Sequence, residues 1–370
     1  MHRVLVLGGY GFFGSRICIA LARNPRVQLF IAGRDSNKAT ALAYQLGLNG
    51  DRARVLDATD TQLALRLKKL GVGTLIHTAG PFQGQDYTVA RACIAASCNY
   101  LDLADGRAFV GGIGKLDAAA KAAGVAVISG VSSVPAFTSA VVDRYLEHFT
   151  PLESIRVGIS SGAVVPGPAT VRAVFGYCGK PIKVLDQGRW TQEYGWLDRI
   201  THNFPKPVGP RLLGRCDVPD LDLLPQRYPG VKTVSFHAGF ASETCHKGVE
   251  WLATRVRDGK LRSAAPFARV LTTLARWLQP VVSDRGGIFV TLEGQHQGAP
   301  LKLTWHLIAR ENHGPNIPCA PAIALVGKVA AGAKLPAGAF ACMGLLSVDD
   351  LLEPLKNLSI RELPPPALGG

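Results

Sequence analysis

The sequence predicts an α/β protein: a doubly wound parallel sheet over residues 1–130, an α+β domain over 131–320, and a return of helical pattern over 321–370. Three observations carry this. The first 130 residues alternate short apolar runs with segments of helical period, the pattern of βαβ units. After Gly130, prolines and glycines come more often and alternating strand-like stretches appear, which suits a mostly antiparallel sheet. A length of 370 residues exceeds one ordinary core and suits two domains, with room for one to interrupt the other.

Taken in order, the strands of the first domain fall at Arg3–Leu7, Gln28–Ala32, Arg54–Leu56, Thr74–Thr78, Tyr100–Leu103 and Val125–Ser129. Helices fall near Phe12–Arg23, Asn37–Leu46, Thr61–Leu70, Tyr87–Ser97 and Gly111–Ala123. In the second domain the strands are Ser154–Ser160, Lys232–Phe240, Ile288–Leu292 and Leu301–Ala309. Gln187–Tyr228, rich in Pro, Arg and Asp, reads as long loops. Helical period returns at Ile323–Ala331 and Val348–Leu355, and the Leu363–Pro366 tail reads as frayed.

Hydrophobic residues make up 47% and charged residues 18%, with no low-complexity tract, so a disordered chain is excluded. The net charge of +14 raises the question of nucleic acid. Basic residues are dispersed, however, with Lys68-Lys69 the tightest pair and no aromatic-interleaved basic motif. No nucleic-acid partner is expected, and an anionic small ligand or acidic lipid suits the charge better. Eight cysteines lie far apart without C-x-x-C or zinc-site spacing, which predicts reduced thiols and no metal. Val4–Leu7 runs directly into a glycine turn and lacks the basic region and cleavage site of a leader, so a cytoplasmic address is expected. Ala264–Val282 is broken by Arg269, Arg276 and Gln279, so it does not read as transmembrane.

The chemistry begins where Val4-Leu5-Val6-Leu7 meets Gly9-Tyr10-Gly11-Phe12-Phe13-Gly14, a G-x-G-x-x-G between strand and helix. Gly9 makes the tight turn, Gly11 lets the backbone approach a pyrophosphate, and Gly14 lets helix pack closely on strand. The anion then rests on free N–H groups at the positive end of the helix. This is a Rossmann dinucleotide site. At the end of the second strand, Ala32-Gly33-Arg34-Asp35-Ser36 replaces the acidic residue that would bind the ribose diol of NAD. Arg34 suits a 2′-phosphate, since guanidinium pairs with phosphate bidentately, and Ser36 adds a hydrogen bond. Alternatively Arg34 is solvated and Asp35 or Ser36 caps the next helix. The two readings are compatible, and the cofactor expected is NADP(H) ahead of NAD(H).

Asp57, after the third strand, lies where the adenine ring is contacted, although helix capping near Thr59 and Asp60 explains the local sequence equally well. The fourth strand ends in His77-Thr78-Ala79-Gly80-Pro81-Phe82, small residues over which the nicotinamide ribose can lie, with Phe82 or Gln83 beside the nicotinamide. His77 reads as a structural strand-end histidine ahead of a catalyst.

Several segments together resemble the saccharopine dehydrogenase-like oxidoreductase superfamily. They are the glycine motif, Ala32-Gly33-Arg34, Ala79-Gly80-Pro81-Phe82, Ala92-Cys93-Ile94 through Asn99-Tyr100-Leu101-Asp102-Leu103, and Ser133-Val134-Pro135. Ser283-Asp284-Arg285-Gly286-Gly287 and His313-Gly314-Pro315-Asn316-Ile317-Pro318 are similar to a bacterial branch. The resemblance implies a Rossmann domain with an inserted substrate and dimerisation domain, C-terminal helices returning to the first domain, and a homodimer acting on a small molecule. It also implies hydride chemistry at either C=N or C=C bonds, since members include saccharopine reductases, carboxynorspermidine dehydrogenases and enoyl reductases of lipid assembly. Where the enoyl-reductase type has a run similar to Asp-Leu-Thr-Gly-Glu, this chain reads Asp102-Leu103-Ala104-Asp105-Gly106-Arg107. The expectation is therefore an NADP-dependent oxidoreductase acting on a C=N bond of an amino-acid-derived substrate. The alternatives are enoyl reduction and dinucleotide binding without turnover.

Such a reaction needs partners for a substrate amine and carboxylate. Asp102 and Asp105 sit at the carboxyl end of the fifth strand, and Asp105 suits an amine or a turn before Phe109. Pro166-Gly167-Pro168-Ala169-Thr170-Val171-Arg172 resembles the small-residue loop ahead of a substrate-domain helix. In it Thr170 serves as N-cap or substrate contact and Arg172 as an anion clamp or a surface charge. His246 and His313 are alternative proton donors. Phe267, Val270, Leu271, Leu274, Leu278 and Val281 form one apolar helical face, for the core or a dimer mate ahead of peripheral contact with lipid.

Overall fold

The apolar runs of the first domain are strands, and their order fixes where a ligand can sit. A computed structural model describes residues 1–164, 167–268, 272–273, 277 and 282–366. The chain divides into two units, one of Met1–Phe137 with Asn316–Leu355, the other of Thr138–Pro315 with the chain from Lys356 onward.

In the first unit β1 (His2–Leu7), β2 (Val27–Gly33), β3 (Ala53–Val55), β4 (Thr74–His77), β5 (Asn99–Asp102) and β6 (Ala126–Ser129) alternate with helices. Of these helices, α1 is Gly14–Ala22, α2 Ser36–Gln45, α3 Leu63–Leu70 and α4 Thr88–Ala95. The sheet is parallel throughout in the order β3-β2-β1-β4-β5-β6, with strand Gly338–Ala341 added beyond β6. Strands covered on both faces read as unbroken apolar runs, and Val4–Leu7 are fully buried. The order reverses between β1 and β4, which opens a crevice at the carboxyl ends of these strands. The helix expected over Gly111–Ala123 is instead three short turns, Arg107–Gly111, Ile113–Leu116 and Asp117–Ala122. Gly111, Gly112 and Gly114 account for this, since glycine gives up most backbone entropy in a helix.

The second unit opens with helix Thr138–Tyr145 and is built on β7 (Leu152–Ser160), β8 (Pro181–Asp186), β9 (Arg189–Tyr194), β10 (Ile200–Phe204), β11 (Gly209–Arg215), β12 (Thr233–Gly239), β13 (Gly286–His296) and β14 (Ala299–Ala309). Its order is β10-β11-β12-β7-β13-β14 with strand Ile360–Leu363 at the end, and β8 links β12 to β9. Only β12 with β7 is parallel among these pairs, so the sheet is mostly antiparallel as expected.

Three expectations are corrected. Gln187–Tyr228 is not loop: it holds β9, β10, β11 and helix Asp220–Arg227. Its strands are short and polar, Arg-Trp-Thr-Gln-Glu-Tyr and Ile-Thr-His-Asn-Phe, and β9 is largely exposed, so no apolar alternation marks them. The C-terminal segment, read as helical, supplies helices Ala320–Ala330 and Val348–Leu352 to the first unit and also one strand to each sheet. Leu363 closes the second of these strands, so the start of the expected frayed tail is paired. Most of the apolar stripe over 267–281 lies outside the described residues; Phe267 is exposed. All eight cysteines are free and seven are buried. Among the described residues no helix is long and apolar enough to cross a membrane.

Candidate dinucleotide site

The glycine turn is shaped by close approach. A side chain at Gly14 would place its Cβ 2.2 Å from the Gly8 carbonyl oxygen and 2.8 Å from the Thr78 hydroxyl, so α1 can pack on the turn only as glycine. At Gly11 the single atom within 4 Å of an added Cβ is the Gly8 carbonyl oxygen at 2.9 Å, so one side of this position is open. Gly8 and Gly9 donate to Ala32 O at 2.8 and 3.0 Å, tying the turn to β2. The amides of Tyr10, Phe12 and Phe13 find no acceptor among the described residues. A pyrophosphate fits this arrangement, with free donors beside open space at the N-terminus of α1. The Phe12 ring lies under the Arg16 guanidinium, 4.4 Å from its centroid.

The end of β2 separates a cation from a carboxylate. Arg34 is exposed and makes no hydrogen bond or ion pair among the described residues. The Asp35 carboxylate turns into α2, accepting the Lys38 amide at 3.2 Å and pairing with its ammonium at 3.2 Å. These bonds hold its carboxyl below the ordinary range. Asp35 is thus the N-cap, which Ser36 is not. Asp57 closes a turn by accepting the Thr59 amide and hydroxyl, both at 3.0 Å.

On the far side of the crevice, the loop after β4 is clamped. Thr78 donates its amide and its hydroxyl to Leu7 O, each at 2.9 Å, so this side chain ties β4 to β1. Gln85 Nε2 donates to Ala79 O at 3.0 Å and to Pro81 O at 2.7 Å, fixing the loop through Gly80. Sequence reasoning passes over Gln85, because a glutamine that bonds backbone carbonyls leaves no residue pattern. Phe82 is turned inward, against His77 at 5.0 Å and Phe109 at 5.4 Å between centroids, so the exposed side chain at the loop end is Gln83. Gln83 donates to Asp105 at 3.1 Å, and burial pushes the Asp105 carboxyl up.

Two groups named as candidates have structural duties. His77 is buried, its Nδ1 lies 3.1 Å from Tyr100 Oη, and burial lowers it to about 4, so it is neutral near pH 7. Asp102 is fully buried, and one oxygen accepts Ala104 N at 2.9 Å, Gly130 N at 2.8 Å and Ser129 Oγ at 3.0 Å. Burial pushes this carboxyl up to about 6, against the pull of those donors.

In the second unit, helix Pro168–Tyr177 starts after Gly167, with proline in its first turn, so Thr170 is inside the helix and not its N-cap. Arg172 is exposed on that helix. Asp105 and Arg172 belong to different units. His246 is fully buried against the Trp196 ring at 5.9 Å, and burial lowers it to about 4, which removes it as a solvent-facing proton donor. His313 Nδ1 accepts the Ser359 amide at 2.9 Å.

Fold, glycine turn and crevice define a dinucleotide-binding domain. Residues 4–128, the parallel-sheet part of the first unit, match the saccharopine dehydrogenase NADP binding domain. No curated protein matches the chain. Among solved structures it is similar to apo saccharopine dehydrogenase (L-Glu forming) from Saccharomyces cerevisiae, at 14% identity and TM-score 0.63 over 98% of this chain and 100% of that one. It is also similar to homospermidine synthase from Legionella pneumophila in complex with NAD, at 10% identity and TM-score 0.61 over 100% and 94%. A third likeness is to amine dehydrogenase from Mycobacterium smegmatis, at 14% identity and TM-score 0.51 over 91% and 94%. At these identities the likeness is one of fold.

Proposed function

We propose that the protein is an NADP-dependent oxidoreductase that transfers hydride to a C=N bond of an amino-acid-derived substrate. The observation that carries the cofactor choice is the end of β2, where Arg34 makes no hydrogen bond or ion pair among the described residues and the neighbouring Asp35 carboxylate is committed to its own helix. A 2′-phosphate there meets a free guanidinium, whereas a ribose diol meets no carboxylate. The bound nicotinamide supplies the hydride. Gly11 and the amides of Tyr10, Phe12 and Phe13 hold the pyrophosphate, the loop Thr78–Pro81 supports the nicotinamide ribose, and Asp57 borders the adenine.

For the substrate, the reading rests on the departure at Asp102–Arg107 from the enoyl-reductase pattern and on Asp105, whose carboxyl stands with Gln83 at the carboxyl edge. One of the similar structures is named an amine dehydrogenase. In this reading Asp105 holds the substrate nitrogen, and Arg172 and Thr170 of the second unit are the candidate contacts for a carboxylate and a polar group. A protonated imine accepts hydride readily, so these residues need only orient it and exclude water. The reading includes a cytoplasmic homodimer, whose size light scattering tests.

The experiment follows NADPH absorbance with mixtures of 2-oxo acids and amines beside a panel of enoyl thioesters. Turnover is expected with the imine-forming mixtures, and it should fall in Asp105→Asn and in Arg172→Ala. Turnover of enoyl compounds alone, or full imine reduction by both variants, would overturn the assignment.

A further inference from the structure

Tyr10 stands between the first two glycines of the turn, yet its side chain belongs to the end of β2. A Cβ on Gly33 would lie 2.4 Å from ring carbon Cε1 and 2.6 Å from Oη of Tyr10, so the ring lies directly against the bare backbone of Gly33. The Asp35 amide donates to Tyr10 Oη at 2.9 Å. A phenol carries one proton and two acceptor sites. With an acceptor site taken by the backbone, its proton has no acceptor among the described residues.

We propose that Tyr10 is a specificity residue, its hydroxyl donating to a phosphate on the ribose 2′ carbon beside Arg34. This deepens the NADP reading and rests on it. Three features of one small region converge. Gly33 is the strand-end position with no side chain to meet a ribose diol, and the tyrosine ring covers it. The hydroxyl is fixed by a backbone amide, so it is pre-oriented without a neighbouring side chain. Arg34, the adjacent cation, is exposed and without a bonded partner, while Asp35 is held away by Lys38. A phosphate monoester is an acceptor only, and a hydrogen bond to its charge is stronger than one to a neutral ribose hydroxyl. The donor therefore favours the phosphorylated ribose.

The test isolates this end of the cofactor by calorimetric titration of the full chain with 2′,5′-ADP and with 5′-AMP. Tyr10→Phe keeps the ring on Gly33 and removes only the hydroxyl. It should weaken 2′,5′-ADP roughly ten- to a hundredfold, the size of a hydrogen bond to a charged group, and leave 5′-AMP unchanged. Gly33→Ala keeps the hydroxyl but displaces the ring, and it should give a similar selective loss. Equal weakening of both ligands in Tyr10→Phe would mean a structural role and overturn the proposal. So would unchanged 2′,5′-ADP binding in either variant. If the unaltered protein binds the two ligands equally, the NADP reading itself fails. If it discriminates and only Arg34→Ala loses that preference, the NADP reading stands and the role of Tyr10 falls.

Discussion

The two units differ in how far their buried polar groups are paired, although His77 Nε2 and Asp102 Oδ2 of the first unit also find no partner among the described residues. In the first, the carboxyl edge is pinned by paired groups: Asp102 accepts three donors, Thr78 closes on Leu7, and Gln85 spans two carbonyls. In the second, the ring nitrogens of His237 and His246 are buried without partners among the described residues, and His202 and His306 meet each other, Nε2 to Nε2, at 3.1 Å. A paired group fixes geometry, whereas an unpaired one is tolerated only while it is neutral. The first unit is thus built to hold a cofactor site, and the second is the one that acid should loosen.

The largest effect should come from breaking the turn. Gly11→Val crowds the Gly8 carbonyl and puts methyl groups on the open side at the anion site, and we expect it to abolish NADPH binding, read by fluorescence titration, with circular dichroism unchanged. Retained binding by the folded variant would show that the phosphates lie elsewhere. Next is the pinned edge. Asp102→Ala strands three buried donors and should cost on the order of 3 kcal/mol in urea unfolding, while Asp102→Asn, which keeps an acceptor, should cost less. Equal losses in the two variants would remove the acceptor as the cause.

The pH dependence separates the units further. In the second, burial lowers His202, His237, His246 and His306 to about 4, and raises Asp220 to about 7. A histidine with a lowered folded value contributes stability fully above its unfolded value near 6.5, and that contribution is lost as pH falls towards 4. A carboxyl with a raised folded value acts the other way over the range from about 7 down to 4. Four histidines against one carboxyl leave a net loss on acidification. In the first unit, the lowered His2 and His77 face the raised Asp102 and Asp105, so the shifts oppose one another. Hydrogen exchange at pH 7 and pH 5 should show protection falling in β7–β14 more than in β1–β6. A uniform fall would contradict the contrast. The smallest effect expected is from His246→Phe, which removes two unpartnered nitrogens while keeping a ring against Trp196. It should stabilise the protein by about 1 kcal/mol at pH 5 in thermal or urea unfolding.

These contrasts also explain what was legible beforehand. Val4–Leu7, Thr74–His77 and Ala126–Ser129 are buried on both faces, so apolar runs located them within a residue or two. The glycine turn was legible because its spacing is a steric requirement. In the second unit, β10 carries His202 on a half-polar strand held by aromatic stacking on Phe289, which no alternation reports. The inward turn of Phe82 and the Gln85 clamp depend on which way a loop side chain points. Local composition does not determine that.

The strands Gly338–Ala341 and Ile360–Leu363 have a consequence for synthesis. The first completes the parallel sheet beside β6, more than 200 residues after it, and the second pairs with β14. Each sheet therefore waits for a strand that leaves the ribosome late, and until then the nascent chain exposes an unpaired edge on β6 and on β14. A stop codon placed shortly before residue 338 would remove a strand from both units at once, although every residue of the glycine turn would already have been made.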